Sequence, residues 1–150
     1  MWTQITVDEE RGLVYLPVET PTSDFYGGHR PATTLFAESL VCVDLKTGQR
    51  KWHFQIIHHG IWDHDNSSAA MLTDVVKDGK GDPRRRVAEQ AGATSAVFNR
   101  VTGEPVYPIV ETPVPASGVP GEKAAPTQPI SDGCARQAVE LRARVCRRAQ

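Results

Sequence analysis

The chain has little cysteine, no long apolar run and almost no net charge. Its three cysteines, Cys42, Cys134 and Cys146, form no C-x-x-C pair, which argues against a zinc ribbon or a disulfide framework. The formal net charge of -1 gives no electrostatic indication of a nucleic acid partner. Apolar runs of only a few residues predict no transmembrane helix. With 150 residues, 39% of them hydrophobic, the chain is long enough for one domain with a core.

The sequence does contain short β-like segments separated by turns. The alternation of apolar and polar residues predicts strands at residues 4–7, 13–18, 40–45 and 50–57. Residues 19–37 form a long loop rich in Pro, Gly, Thr and Ser, and long loops in compact domains are often functional.

A weak internal repeat joins two parts of the chain. Residues 43–52 and 98–107 both run strand, Asp or Asn, two residues, Thr-Gly, three residues, aromatic. The pattern fits a tight turn in which the glycine needs a positive φ. Repeated units of four antiparallel strands are typical of propeller blades. The alternative interpretation is two unrelated hairpins with similar turns.

The densest group of proton-handling side chains lies in residues 57–65, which read I-H-H-G-I-W-D-H-D. Imidazoles and carboxylates are the groups that take up protons or hold metals. If the strand continues through His58 and His59, the two rings point to opposite faces, and at most one faces a site. A zinc hydrolase site is a minor alternative, since the segment lacks H-E-x-x-H and any third ligand at a recognisable spacing.

Two further segments differ in composition from the β-like part. Residues 112–129 carry five prolines, which predicts an extended loop or linker and not the interior of an element. Residues 131–150 form an atypical basic tail with a thin helical stripe. The tail is interpreted either as a basic amphipathic helix or as a disordered or frameshifted end.

These stretches together resemble the quinoprotein dehydrogenases, which are eight-bladed propellers that carry pyrroloquinoline quinone (PQQ) and calcium. The membrane glucose dehydrogenase branch is the most similar. The resemblance covers roughly residues 2–130 and is carried by residues 8–28, 39–52, 58–65 and 100–105, with P-G-E and P-T-Q-P following. It implies an all-β fold: a fragment of about two to three blades of an eight-bladed β-propeller.

The resemblance also implies roles for individual residues. Asp63, which follows tryptophan in His-x-x-Trp-Asp, matches the family's general base, which takes the substrate hydroxyl proton; a turn cap is the alternative. Calcium is expected as a Lewis acid, with Asp63, Glu19 and Thr20 as ligands. His59 and Trp62 are the expected PQQ contacts, although Trp62 could instead pack in a core.

Two positions depart from the family's pattern. Glu19 and Thr20 stand where the family has a Gly-Asn pair whose asparagine binds calcium. Ala91 falls near the expected basic residue that bonds the quinone, and the strand within residues 80–96 is expected to be largely lost. Compensating frameshifts would produce such a loss and recovery. The departures favour a second interpretation, a non-catalytic propeller scaffold or an inactive truncated relic.

The function that the resemblance implies is oxidation of an alcohol or a glucose-like aldose sugar by a PQQ- and calcium-dependent dehydrogenase. The expected partners are the small-molecule substrate, a quinone or cytochrome electron acceptor and the remaining propeller blades of a longer chain, with no nucleic acid. The expected location is the periplasm, with membrane association in some full-length members. This chain alone is expected to be inactive.

Overall fold

Strands and turns make up the described part of the chain. The computed structural model describes residues 1, 3–30, 34–73, 76–77, 80–81, 87–91 and 94–131. The strands in these ranges are β1 (Thr6–Asp8), β2 (Leu13–Val18), β3 (Ser39–Asp44), β4 (Arg50–Gln55), β5 (Val76–Lys77), β6 (Lys80–Gly81), β7 (Val87–Ala91), β8 (Thr94–Phe98), β9 (Ile109–Pro113) and β10 (Thr127–Ser131). The all-β prediction is confirmed.

The first four strands form one antiparallel sheet in the order β1-β2-β3-β4. The apolar and β-branched residues of β2 and β3 suit central strands, because such strands are covered on both faces. Accordingly, four consecutive residues of β3, Ser39 to Cys42, are buried. The four predicted strands are confirmed, with ends shifted by at most two residues.

The core joins this sheet to the hairpin formed by β7 and β8. Tyr15 and Trp52 from the sheet pack with Phe98 from β8, and both Tyr15 and Phe98 are fully buried. The ring centroids lie 6.0 Å apart for Tyr15 and Trp52 and 6.1 Å apart for Trp52 and Phe98, within the usual range for aromatic pairs.

The two Thr-Gly turns of the repeat adopt the same conformation. Gly48 and Gly103 have φ of 69° and 75°, the left-handed region that glycine enters without steric cost. In each turn the preceding Asp44 or Asn99 accepts backbone N–H bonds through its side-chain oxygen. The prediction of a repeated turn with a left-handed glycine is confirmed.

The tryptophan that follows the first turn docks on the second turn. The Trp52 indole N–H donates to the Arg100 carbonyl at 3.1 Å. A Cβ added to Gly103 would lie 2.6 Å from Trp52 Cδ2, so the ring lies directly on the glycine. The two copies of the repeat are therefore packed against each other.

The structure differs from the sequence-based expectation in two segments. The strand expected to be lost is present, because β7 and β8 pair from Val87 with Phe98 to Ala91 with Thr94. The proline-rich segment begins and ends in paired strands, with Pro113 opposite Thr127 and Pro129 opposite Glu111. In a sheet of two strands, each strand has one edge without a partner. A proline whose nitrogen faces that edge removes no hydrogen bond between the strands.

The remaining predictions concern cysteine, the tail and the membrane. Cys42 is free and buried in β3, where a free thiol packs as a small hydrophobic group, and burial raises the pKa of its thiol to about 12. Cys134, Cys146 and the tail from residue 132 onward lie outside the described residues. Within the described ranges, no helix has the length and apolar character needed to cross a membrane.

Candidate functional site

The segment after β4 is irregular and contains two strained residues. His59 and Asp63 have φ of 45° and 54°, a region that non-glycine residues seldom enter. Such conformations cost about 1–3 kcal/mol each and persist where the surroundings enforce them, often at functional sites. Because β4 ends at Gln55, His58 and His59 do not lie in a strand, and the condition of the opposite-face argument is not met.

We call residues 60–66 the Asp63 arch. Hydrogen bonds hold this segment near both of its ends and so enforce its conformation. At one end, the Gly60 N–H donates to Glu38 Oε2 at 3.0 Å and the Gly60 carbonyl accepts from Arg30 Nη2 at 3.0 Å. At the other end, Asp65 Oδ1 accepts the Thr20 N–H at 2.9 Å. The arch is therefore attached to the sheet and the 19–30 loop at two points.

Asp63 is the exposed carboxylate within the arch. Partial desolvation of this exposed group is the largest cause of a raised carboxyl pKa. The negative charges of Asp65 and Asp24 raise the pKa further, and His64 lowers it. Within the described part of the chain its side chain accepts no hydrogen bond, so it does not act as a turn cap there. A general base works best when its pKa lies near the working pH, so a raised pKa makes the Asp63 carboxylate a better proton acceptor.

A cavity of about 690 Å³ opens beside the arch, between residues 56–64 and residues 114–130. His59 and Trp62 line it, whereas Asp63 does not, although its two chain neighbours, Trp62 and His64, do. Trp62 is 73% exposed, so the alternative that it packs in a core is wrong. Glu19 and Thr20 do not line the cavity. The structure thus brings two of the five predicted site residues to the cavity wall, with Asp63 next to them in the chain.

Several polar groups of the cavity wall are already used in holding its two sides together. Glu122 Oε1 accepts the Gly27 N–H at 2.9 Å, and the other carboxylate oxygen of Glu122 accepts the Ser117 hydroxyl. Gln128 bonds both the N–H and the carbonyl of His58, each at 2.8 Å. These contacts fix the 114–130 wall against the 19–30 loop and the segment after β4.

The predicted calcium ligands do not form a metal site. The Glu19 carboxylate pairs with the amino group of Met1, and the Thr20 hydroxyl donates to Glu38 Oε1 at 3.2 Å. Across the described ranges, no three His, Cys, Asp or Glu side chains come together as metal ligands. The donor set seen here therefore fits neither calcium nor the alternative zinc site.

The described lining fits PQQ only in part. The exposed indole of Trp62 offers a flat face for a planar ring system, and His59 offers an imidazole beside it. PQQ also carries carboxylates, and anions in proteins are usually bound by Arg, Lys or N–H donors. The described lining contains no Lys or Arg and includes the Glu122 carboxylate. The ring has a surface to contact, but its anionic groups have no cationic partner in this lining.

Two functional candidates were missed from the sequence, Arg30 and Glu38. Glu38 is fully buried with φ of 47°, although a buried carboxylate is rare without partners. The Nε and Nη1 atoms of Arg30 are buried without a hydrogen bond in the described part of the chain. One signal was available for Glu38: it interrupts the apolar run that leads into β3.

The buried carboxylate of Glu38 should make stability depend on pH. Burial raises its pKa to about 7, while bonds from Gly60 and Thr20 and the charge of Arg30 partly oppose the rise and Asp65 adds to it. The folded state then keeps a proton that the unfolded state has released. The free energy of unfolding should therefore fall as pH rises from about 4.5 to about 7, by at most about 1.4 kcal/mol per unit. Urea denaturation across this range measures the slope.

The matched variant for this measurement is Glu38→Gln, which keeps the shape and removes the titration. We expect the unfolding free energy of Glu38→Gln to change less with pH between about 4.5 and about 7 than that of the parent chain. An equal slope in the variant and the parent would show that other groups cause the dependence.

Comparison with known proteins agrees with this geometry. The family described as PQQ glucose/ethanol/alcohol dehydrogenase, β-propeller domain, matches residues 1–146. The glycerol dehydrogenase large subunit of Gluconobacter thailandicus is 39% identical over 135 residues, which are 88% of this chain and 18% of that protein. The quinoprotein glucose dehydrogenase of Escherichia coli (strain K12) is 34% identical over 132 residues, 87% of this chain and 16% of that protein.

A solved structure shows the same fold. The quinohemoprotein alcohol dehydrogenase of Comamonas testosteroni superimposes with a TM-score of 0.65 at 24% identity, over 91% of this chain and 20% of that one. The chain therefore spans about a fifth or less of the length of these relatives. On the family match, the chain belongs to the PQQ-dependent glucose, ethanol and alcohol dehydrogenases and forms part of their β-propeller.

Proposed function

We propose that the chain is a segment of a PQQ-dependent dehydrogenase that oxidises an alcohol or a glucose-like sugar, with Asp63 as the general base. The observation that carries this proposal is the placement of Asp63. It does not itself line the cavity, but its two chain neighbours, Trp62 and His64, do, and its surroundings raise its pKa. When bound, PQQ supplies the two-electron acceptor. The carboxylate of Asp63 takes the proton of the substrate hydroxyl.

The other residues of the site have supporting roles in this proposal. Trp62 and His59, which line the cavity, would hold the cofactor ring. We assign no calcium ligand to the described residues, because Glu19 and Thr20 are engaged elsewhere. The remaining blades, the electron acceptor (a quinone or a cytochrome) and a periplasmic location belong to the whole protein in this proposal.

The test is a chimera in which residues 1–130 replace the matching segment of the Gluconobacter thailandicus glycerol dehydrogenase large subunit. Asp63→Asn in this chimera should lower kcat by about 100-fold or more, because the proton acceptor is lost. PQQ content, measured by absorbance, should not change. Dye-linked oxidation of glycerol measures the turnover.

The matched control is Asp24→Asn, which removes a neighbouring carboxylate that is not the proposed base. It should change kcat by no more than a few-fold. If Asp63→Asn turns over as fast as the unmutated chimera, Asp63 is not the base.

A second candidate function is a non-catalytic propeller segment. The observation that favours it is the described cavity lining, which carries a carboxylate and no Lys or Arg to meet the cofactor's anionic groups. In the same experiment, a chimera that assembles but neither retains PQQ nor oxidises glycerol would support this scaffold function.

A further inference from the structure

Glu38 connects the loop after β2 to the segment after β4. Its carboxylate accepts the Thr20 hydroxyl at 3.2 Å and the Gly60 N–H at 3.0 Å. Its backbone makes the same link, because its N–H donates to the Glu19 carbonyl at 3.1 Å and its carbonyl accepts the Ile56 N–H at 2.8 Å. One fully buried residue therefore fixes the relative position of the two segments that carry the predicted site residues.

The contact at Gly60 leaves no space for a side chain. A Cβ added there would collide with the Glu38 carboxylate. The Gly60 carbonyl is held from the other side by Arg30, whose Nη2 atom also donates to the Ser23 carbonyl at 3.2 Å. Gly60 is therefore fixed through both of its polar backbone groups, and the chain direction at the start of the arch is set.

Asp63 follows Gly60 by three residues and lies between two attachment points. The downstream point is the bond from the Thr20 N–H to Asp65, and Thr20 is itself bonded to Glu38. Both ends of the arch therefore depend on Glu38, directly at Gly60 and through Thr20 at Asp65. A left-handed non-glycine residue such as Asp63 persists only under such constraint.

We propose that Glu38 is the positioning residue for Asp63, which it holds beside the cavity by bonding Gly60 and Thr20. Glu38 does not line the cavity, so it acts through these two residues. The inference rests on the proposed role of Asp63 as the general base. Its structural part, the control of the arch by Glu38, can be measured without any turnover.

The experiment is NMR on the full 150-residue chain with Glu38→Asn. Asparagine tolerates positive φ, so the backbone at residue 38 is kept, while the shorter side chain no longer reaches Gly60. The Gly60 amide should exchange about tenfold faster or more, because it loses the buried carboxyl group that accepts its hydrogen bond. The φ of Asp63, measured from three-bond couplings, should leave the left-handed region. The amides of Tyr15 and Cys42, paired in the sheet, should keep their rates.

Glu38→Gln is the rescue variant. Its side chain has the original length, and its amide can accept from the Gly60 N–H while donating to the Thr20 oxygen. Gly60 exchange and the φ of Asp63 should therefore stay near those of the parent chain.

Two results would overturn the proposal. One is unchanged Gly60 exchange and Asp63 φ in Glu38→Asn. The other is equal acceleration of all amides in Glu38→Asn and Glu38→Gln, which would make Glu38 a general stabiliser of the fold. If Glu38→Asn loosens the arch but Asp63→Asn leaves chimera turnover intact, the positioning stands and only the base role fails.

Discussion

Replacing Arg100 with methionine should lower the free energy of unfolding by about 3–5 kcal/mol. Arg100 Nη1 lies 3.1 Å from Asp8 Oδ2, and the two side chains are only 11% and 4% exposed. Methionine keeps much of the buried stem but leaves the Asp8 carboxylate without its main partner. An uncompensated buried charge is costly, because little water reaches it. Urea denaturation followed by tryptophan fluorescence measures the loss.

Arg11→Met is the matched control, since Arg11 also approaches Asp8, at 3.5 Å, but its closer partner is the exposed Glu10. Exposed ion pairs contribute about 1 kcal/mol or less, so this variant should lose far less stability. The double variant Asp8→Leu with Arg100→Met should recover most of the loss, because it removes both charges. A double variant no more stable than Arg100→Met would show that the unpaired charge is not the cause.

Replacing Phe98 with alanine should also cost about 3–5 kcal/mol of unfolding free energy. Phe98 is fully buried, with its ring centroid 4.8 Å from that of Phe54 and 6.1 Å from that of Trp52. Truncation leaves a cavity where the sheet meets the hairpin of β7 and β8, so the sheet and the hairpin lose packing against each other. The same denaturation experiment measures it.

Phe25→Ala is the control of the same chemistry at an exposed position. Phe25 is 71% exposed, and exposed substitutions usually change stability by about 0.5 kcal/mol or less. Similar losses for the two variants would mean that Phe98 is not a core residue of the folded chain in solution.

The parts of the fold that could be predicted are those set by neighbouring residues. The Thr-Gly turns are closed by bonds that span a few positions, such as the Gly48 N–H to the Asp44 carbonyl and the Gly103 N–H to the Asn99 carbonyl. The apolar run of β2 likewise indicates a buried strand, and its residues Leu13 to Tyr15 are buried. Residues 114–126 form the predicted loop. The strands at the two ends of the proline-rich segment were missed because they pair with each other across 16 residues, as the bond from Thr127 to Glu111 shows.

The candidate site was only partly predictable for the same reason. The histidines, tryptophan and aspartate of residues 57–65 are adjacent in sequence, and two of the predicted residues, His59 and Trp62, do line the cavity. Glu38 acquires its role from Thr20 and Gly60, which are 18 and 22 positions away. The metal prediction for Glu19 and Thr20 relied on alignment with a different residue pair, and both side chains have other partners here.

The two Thr-Gly turns also have a consequence for the order in which the chain folds. Each turn closes a short loop, which has a low entropic cost and forms quickly, so β3 and β4 can pair early. The bond from Trp52 to Arg100 spans 48 residues and forms only once both hairpins exist. Changes in the turns should therefore act mainly on the folding rate, whereas changes at Arg100 should act mainly on the unfolding rate. The lifetime of the folded chain is then set by the docking of one repeat on the other.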